Sequence, residues 1–259
     1  MTNTNRILWI NPVGTDLFDR EIQEILNMEK RPDTEVDVVS LARGPEHLEY
    51  HYYEALVLVD LINRIKQAEH EGYDAAVIGC FYDTGLGQAR EISDDLIVTA
   101  PAESSMHIAA SLGHTFSIIV GRDKWIPEMR ENVVKYGFKD RLASFKSVGL
   151  GVHDFQKDKE ETANRLKAAA QEAVNEDRAE VIILGCTIEF GFFKKVQESL
   201  GVPVVDAVLA PFKYAEFLTE LKSRFGWKHS NAGGYECPPL EEITGWKLGE
   251  QYAMQGLWD

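Results

Sequence analysis

Two cysteines in matched surroundings are the strongest candidates for chemistry in the sequence. Cys80 closes the segment Glu71-Gly-Tyr-Asp-Ala-Ala-Val-Ile-Gly-Cys80, and Cys186 closes Glu176-Asp-Arg-Ala-Glu-Val-Ile-Ile-Leu-Gly-Cys186. Each segment reads as an acidic helix tail, a buried strand and a break at Gly-Cys. A helix is expected to follow each, from about Thr84–Gly85 and Thr187–Glu189. A lone free cysteine is most often a packed apolar residue, but two in the same context point to a shared role. Backbone N–H groups at a helix start favour thiolate over thiol. With one such thiol on each wall of a cleft, a carbon acid can be inverted. One thiolate removes its proton while the other thiol delivers a proton to the opposite face. The negative charge forming on the neighbouring carbonyl needs donors, and the turn backbone at Phe81–Asp83 and Thr187–Ile188 can supply them.

Other arrangements are weaker. Gly85-Leu-Gly87 starts like a dinucleotide fingerprint, but Arg90 stands at the third glycine position and no Walker sequence occurs, so no nucleotide cofactor is expected. His47 and His51 have the spacing of two ligands on one helix face. They lack a third ligand and read as a surface or cleft-edge pair, while His107 and His114 read as structural. Cys237-Pro-Pro has no second cysteine near it, and no metal is expected. A Gly-x-Ser-x-Gly elbow is absent. Ser104-Ser105 follow Glu103 at a helix start, where an acid suits the helix dipole.

The elements that must position the cysteines alternate along the chain. Strands are expected at Ile7–Ile10, Val36–Val39, Ala75–Ile78, Leu96–Val98, Phe116–Val120, Val181–Leu184 and Val202–Val205. Between them lie amphipathic stretches at Asp19–Met28, Glu54–His70, Glu103–Leu112, Pro127–Tyr136 and Asp158–Asn175. Within the second of these, Leu56, Val59, Leu61, Ile62 and Ile65 keep an apolar stripe at helical spacing. Continuously apolar strands separated by helices mean parallel sheets covered on both faces. The fold class is therefore α/β. The repeat around the two Gly-Cys elements predicts two similar units whose strand ends meet at one cleft, since ligands bind outside the carboxyl ends of such strands.

Composition narrows the partners. The 259 residues carry 27 Lys and Arg against 42 Asp and Glu, a net charge of −15. The longest basic run is Lys194–Lys195, which argues against nucleic acid. No apolar run approaches the ~20 residues of a spanning helix. Met1-Thr-Asn-Thr-Asn5 lacks the charged and apolar regions of a signal peptide. With three distant cysteines, a reducing, cytoplasmic location is expected. From Gly226 onward the pattern changes to Gly, Pro and aromatic residues, including three of the five tryptophans. This stretch reads as an ordered, buried arm on its own body or on a neighbouring subunit.

At this level of detail the sequence resembles the aspartate/glutamate racemase superfamily, in its hydantoin/allantoin racemase branch. The resemblance runs from about Arg6 to Phe225. It rests on Ile10-Asn-Pro12, Gly44-Pro45, Tyr73-Asp through Cys80-Phe81, Gly85-Leu, Ala89-Arg-Glu91, Glu103, Phe116-Ser-Ile-Ile-Val120, Leu184-Gly-Cys186 and Gly201-Val-Pro-Val-Val-Asp206. It implies two pseudo-symmetric, flavodoxin-like parallel-sheet domains with an interdomain active-site cleft. The domains would span 1–100 with 206–225, and 101–205, followed by a C-terminal extension over 226–259. It also implies a cofactor-independent isomerase, in which Cys80 and Cys186 form the acid/base pair. Asn11, Phe81 and Thr187 would contact substrate, with Glu103 an orienting group beside them. A homo-oligomer is expected.

The chain departs from the branch near the expected pocket. Cys80-Phe-Tyr-Asp-Thr-Gly85 has Thr84 where the branch usually has proline. Thr187-Ile-Glu-Phe190 replaces the usual Ala-Gly-Met, bringing in the carboxyl of Glu189 as a substrate contact. The expected activity is racemisation of a 5-substituted hydantoin or similar cyclic ureide. The alternative is a hydrolase, desulfhydrase or decarboxylase of a related (thio)hydantoin ring, with Glu189 and Glu103 activating water.

Overall fold

Short runs of Val, Ile, Leu and Ala with no polar alternation become strands buried on both faces. In the computed structural model, which describes residues 4–254 and 256–258, the strands are β1 (Asn5–Asn11), β2 (Thr34–Ser40), β3 (Ala75–Ile78), β4 (Ile97–Thr99), β5 (Phe116–Val120), β6 (Leu142–Ser147), β7 (Val181–Leu184) and β8 (Val204–Val205), of which β1, β3, β5 and β7 are the runs of this kind at the sheet centres. The helices between them are α1 (Asp19–Glu29), α2 (His51–His70), α3 (Leu86–Ile92), α4 (Pro101–Leu112), α5 (Ile126–Lys135), α6 (Lys159–Asn175), α7 (Phe193–Leu200) and α8 (Leu209–Phe225). All seven expected strands form, two of them shifted or shortened at an end. The eighth, β6, was not expected. Its residues Leu142-Ala-Ser-Phe-Lys-Ser are half-buried throughout, as suits an edge strand.

The strands make two four-stranded sheets, ordered β2-β1-β3-β4 and β6-β5-β7-β8. Every pairing is parallel. The internal repeat seen in the sequence is thus a repeat of topology, and the chain has the expected class of two parallel-sheet α/β domains. The apolar residues of β1, β3, β5 and β7 are fully buried and form the two cores, with Trp9 in the first and Phe116 and Phe155 in the second.

Two compact units result. The first contains the residues up to Ile78, Thr84–Thr99 and those from Phe212 on; the second contains Gly79–Asp83 and Ala100–Pro211. The short segment holding Cys80 therefore belongs to the second unit, although the sequence places it within the first. Hydrogen bonding explains the transfer: Gly79 O, Tyr82 O and the Asp83 carboxylate are all engaged by residues of the second unit.

The stretch after Gly226 is ordered on the first unit. His229 Nε2 accepts the Val98 N–H at 2.8 Å, and Asn231 Nδ2 donates to Arg90 O at 3.1 Å. The Cys237 thiol donates to Glu91 O at 2.8 Å. Asn63 and His70 of α2 bond the carbonyls of Tyr252 and Leu257. Two short helices, α9 (Leu240–Gly245) and α10 (Leu248–Gln251), lie within it. The expectation of burial needs correction, because Trp227 and Trp246 are 64% and 60% exposed. The arm is held mainly through carbonyls and polar side chains, and these indoles are left outside the core.

Candidate active site

In each sheet the strand order reverses between its first and third members in sequence, β1 and β3, then β5 and β7. The carboxyl ends of such strands are where open α/β sheets bind ligands. Gly79-Cys80 follows β3 directly, and Gly185-Cys186 follows β7. The matched sequence segments thus deliver both thiols to equivalent points of their repeats. Neither cysteine is in a disulfide, and both are half-buried. A hydrogen bond within the second unit joins the two turns: Thr187 Oγ1 donates to Gly79 O at 3.2 Å.

Backbone geometry fixes each turn. After β7, the Gly185 N–H donates to Ile119 O at 2.7 Å, which pins the chain against β5. A Cβ at Gly185 would lie 2.7 Å from that oxygen and 2.8 Å from Ile118 Cγ2, so only glycine fits. Residues Thr187–Glu189 form one 3₁₀ turn, closed by Glu189 N–H to Cys186 O at 3.0 Å. The regular helix α7 starts only at Phe193, later than the sequence suggests. Gln156 supports the turn, its Nε2 donating to Ile188 O at 2.8 Å.

The Cys80 turn is held by Asp83, whose backbone was expected among the oxyanion donors but whose side chain carried no expected role. Asp83 sits in the left-handed region at φ 54, and its N–H donates to Cys80 O at 2.9 Å. Its carboxylate accepts the N–H groups of Ala102 at 2.8 Å and Glu103 at 2.9 Å, and the Tyr136 hydroxyl at 2.9 Å. This is a helix cap supplied from a distance. Ala100, at the N-cap position of α4, has no side-chain acceptor for the first-turn N–H groups. An Ala-Pro helix start without its own cap is the signal that could have identified Asp83. The Tyr82 carbonyl beside it accepts from Asn132 Nδ2 at 2.7 Å.

Burial of Asp83 outweighs its three donors and pushes its pKa from an ordinary 3.8 to about 7. A carboxyl with a raised folded-state pKa favours the fold most below its unfolded pKa, and that contribution is lost as pH rises toward 7. Wild-type stability should therefore fall over this window, by up to about 1.4 kcal/mol per pH unit from this group. Asp83→Asn should flatten the fall and weaken the α4 cap by about 1 kcal/mol. Urea midpoints of both proteins at pH 5 and 7.5 check this; an unchanged pH dependence in the variant would refute it.

The remaining expected site residues are distributed unevenly. Phe81 is buried beside Cys80, and Thr187 and Glu103 are half-buried. Asn11 ends β1 in the first unit. Its Oδ1 accepts from Trp9 Nε1 at 2.7 Å, and its Nδ2 donates to Asp19 Oδ1 at 2.7 Å, so both ends of the amide have partners there. Glu189 is 1% exposed. Its pKa is pushed well above the ordinary value, first by burial and then by the Asp206 carboxyl, itself buried with a raised pKa. Asp206 caps α8 by accepting the N–H groups of Val208 and Leu209 at 2.8 and 3.0 Å.

His47 lies before α2, not on it, and His51 is the first residue of that helix. His47 Nδ1 accepts the Glu49 N–H at 3.3 Å, and the His47 ring lies 5.5 Å from that of Tyr53. Among the described residues no group of three His, Cys, Asp or Glu side chains is placed to hold a metal ion. Nor is any described helix long and apolar enough to cross a membrane.

Two parallel-sheet repeats, each with a central strand followed by Gly-Cys, give the chain its α/β class. The chain belongs to the Asp/Glu/Hydantoin racemase family, whose model matches residues 7–215, and is an isomerase. It is 35% identical over 240 residues to a hydantoin racemase of Pseudomonas sp. strain NS671, covering 93% of this chain and 94% of that one. A hydantoin racemase of Paenarthrobacter aurescens is 36% identical over 234 residues, covering 90% and 97%. Among solved structures, allantoin racemase from Klebsiella pneumoniae superposes with a TM-score of 0.84 at 28% identity, covering 91% and 94%.

Proposed function

We propose that this chain is a cofactor-independent racemase of 5-substituted hydantoins or similar cyclic ureides, using Cys80 and Cys186 as its two proton carriers. The observation that carries this reading is the joining of the two Gly-Cys turns through Thr187 Oγ1 and Gly79 O. The similarity to the two hydantoin racemases adds the substrate class. The C5 proton of such a ring lies beside a carbonyl, so its removal gives an enolate without an external electron sink.

In the proposed cycle one cysteine starts as thiolate and the other as thiol. The thiolate takes the C5 proton, and the electron pair of the C–H bond moves into the ring to place charge on the C4 oxygen. The second thiol then protonates C5 from the opposite face and becomes the thiolate. Charge is conserved, and the two cysteines have exchanged roles. Donors for the C4 oxygen come from the turn backbone. The Asp83 N–H is already committed to Cys80 O, so in the proposed cycle this role passes to other N–H groups of the two turns, such as those of Phe81 and Thr187.

The test is incubation of one enantiomer of a 5-substituted hydantoin in deuterated water. The expected result is loss of optical activity, one deuterium at C5 and an intact ring. Release of sulfide, ammonia or carbon dioxide would instead support a ring-cleaving enzyme and overturn the reading. Light scattering on the same preparation checks the expected homo-oligomer.

A further inference from the structure

Glu189 is anomalous in the second unit. Its side chain is almost wholly enclosed, and neither carboxyl oxygen makes a hydrogen bond of full geometry among the described residues, although the Cys186 and Gly185 backbone N–H groups lie near enough to favour its charged form. The nearby Gly185 N–H is already committed to Ile119 O. An unsatisfied buried acceptor costs about 1–3 kcal/mol, and a native group of this kind calls for an explanation. Solvent does not reach it, so activating bulk water is not a role its position supports.

Its surroundings point elsewhere. Glu189 ends the 3₁₀ turn that Cys186 begins, and its own N–H closes that turn on Cys186 O. Its carbonyl accepts the Phe192 N–H at 3.4 Å. Gln156 holds Ile188 O and Phe190 O on either side. The carbonyls of the turn are thus held by Gln156 while the Glu189 side chain is buried within the same short segment. The carboxyl of Asp206, locked onto the start of α8, acts on it electrostatically. Two carboxyls in one dry environment cannot both ionise cheaply, and the pKa of each is raised.

We propose that Glu189 is a positioning residue for Cys186, its enclosed carboxyl bracing from within the turn that presents the thiol. The proposal rests on the two-thiol reading above, in that each cysteine serves one face of the ring. Glu189→Ala removes the brace, and Glu189→Asp shortens it. Glu189→Gln keeps its shape and removes its acidity.

The test measures deuterium exchange at C5 separately for each enantiomer of a 5-substituted hydantoin. Alkylation of Cys186 by iodoacetamide is followed alongside by peptide mass, with Cys237 as internal reference. A displacement of about 1 Å at a reacting group costs on the order of 10²-fold. Glu189→Ala and Glu189→Asp should each lose about that factor for the enantiomer served by Cys186 and keep the other within about threefold. Their Cys186 alkylation rates relative to Cys237 should change more than about threefold, while Glu189→Gln stays near wild type in both readouts. Equal losses for both enantiomers, or unchanged alkylation of Cys186, would overturn the proposal. If Glu189→Ala does not fold, Glu189→Asp decides by the same criteria. Cys186→Ser is the control for the underlying reading. If that variant shows no one-sided loss, the two-thiol reading fails, and the alkylation result alone judges Glu189.

Discussion

Serine in place of Cys186, or of Cys80, is expected to lower racemisation by about 10²–10⁴-fold, the range for losing a positioned acid or base. Each substitution exchanges sulfur for oxygen at a half-buried turn beyond a strand end, so the folded state should survive. A serine hydroxyl is a far weaker acid than a thiol, whose ordinary pKa of about 8–9 lies within reach of neutral pH. Inversion needs both partners in every turnover, one to take the proton and one to return it. Either substitution alone should therefore stop inversion in both directions. Cys237→Ser is the contrast: its thiol donates to Glu91 O on the first unit, and its loss should leave the rate unchanged. Polarimetry on the three purified variants, with circular dichroism to check folding, measures this. Wild-type rates in Cys80→Ser or Cys186→Ser would remove that cysteine from the mechanism.

Gly185→Ala should have the second-largest effect, by a different route. The added methyl meets the Ile119 carbonyl at 2.7 Å and the Ile118 side chain at 2.8 Å. Ile119 O belongs to the middle of a buried parallel sheet and cannot retreat without disturbing β5. The turn must yield instead, carrying Cys186 with it. Overpacking of this kind costs about 1–3 kcal/mol, and displacing the thiol by about an ångström costs on the order of 10² in rate. Both losses are expected together, read from the urea midpoint and from kcat. Wild-type stability with wild-type kcat would show that the close approach does not constrain the thiol.

The parts of this arrangement that depend on local pattern were legible in the sequence. Ala75–Ile78, Phe116–Val120 and Val181–Leu184 are continuous apolar runs, and a strand buried on both faces leaves that trace. The Gly-Cys breaks showed where the strands end, because glycine was needed for packing at one of them. β6 left no such trace, since an edge strand of intermediate burial is neither apolar throughout nor cleanly alternating. The membership of Cys80 in the second unit was hidden for another reason. It depends on Asp83 reaching the uncapped start of α4, a contact set by tertiary structure. The burial of Glu189 was equally hidden. Its place three residues after Cys186 brings a carboxyl near the expected pocket, and its near-complete enclosure is a matter of tertiary packing.

In the proposed mechanism each thiol serves one face of the substrate. Its most direct test is deuterium uptake at C5 from heavy water, measured separately on the two enantiomers of a 5-substituted hydantoin with Cys80→Ser and Cys186→Ser. The predicted result is a mirror-image pair: each variant retains exchange with one enantiomer, without inversion, and the retained enantiomer differs between the two. Retained inversion in both variants, or retained exchange with the same enantiomer in each, would contradict it.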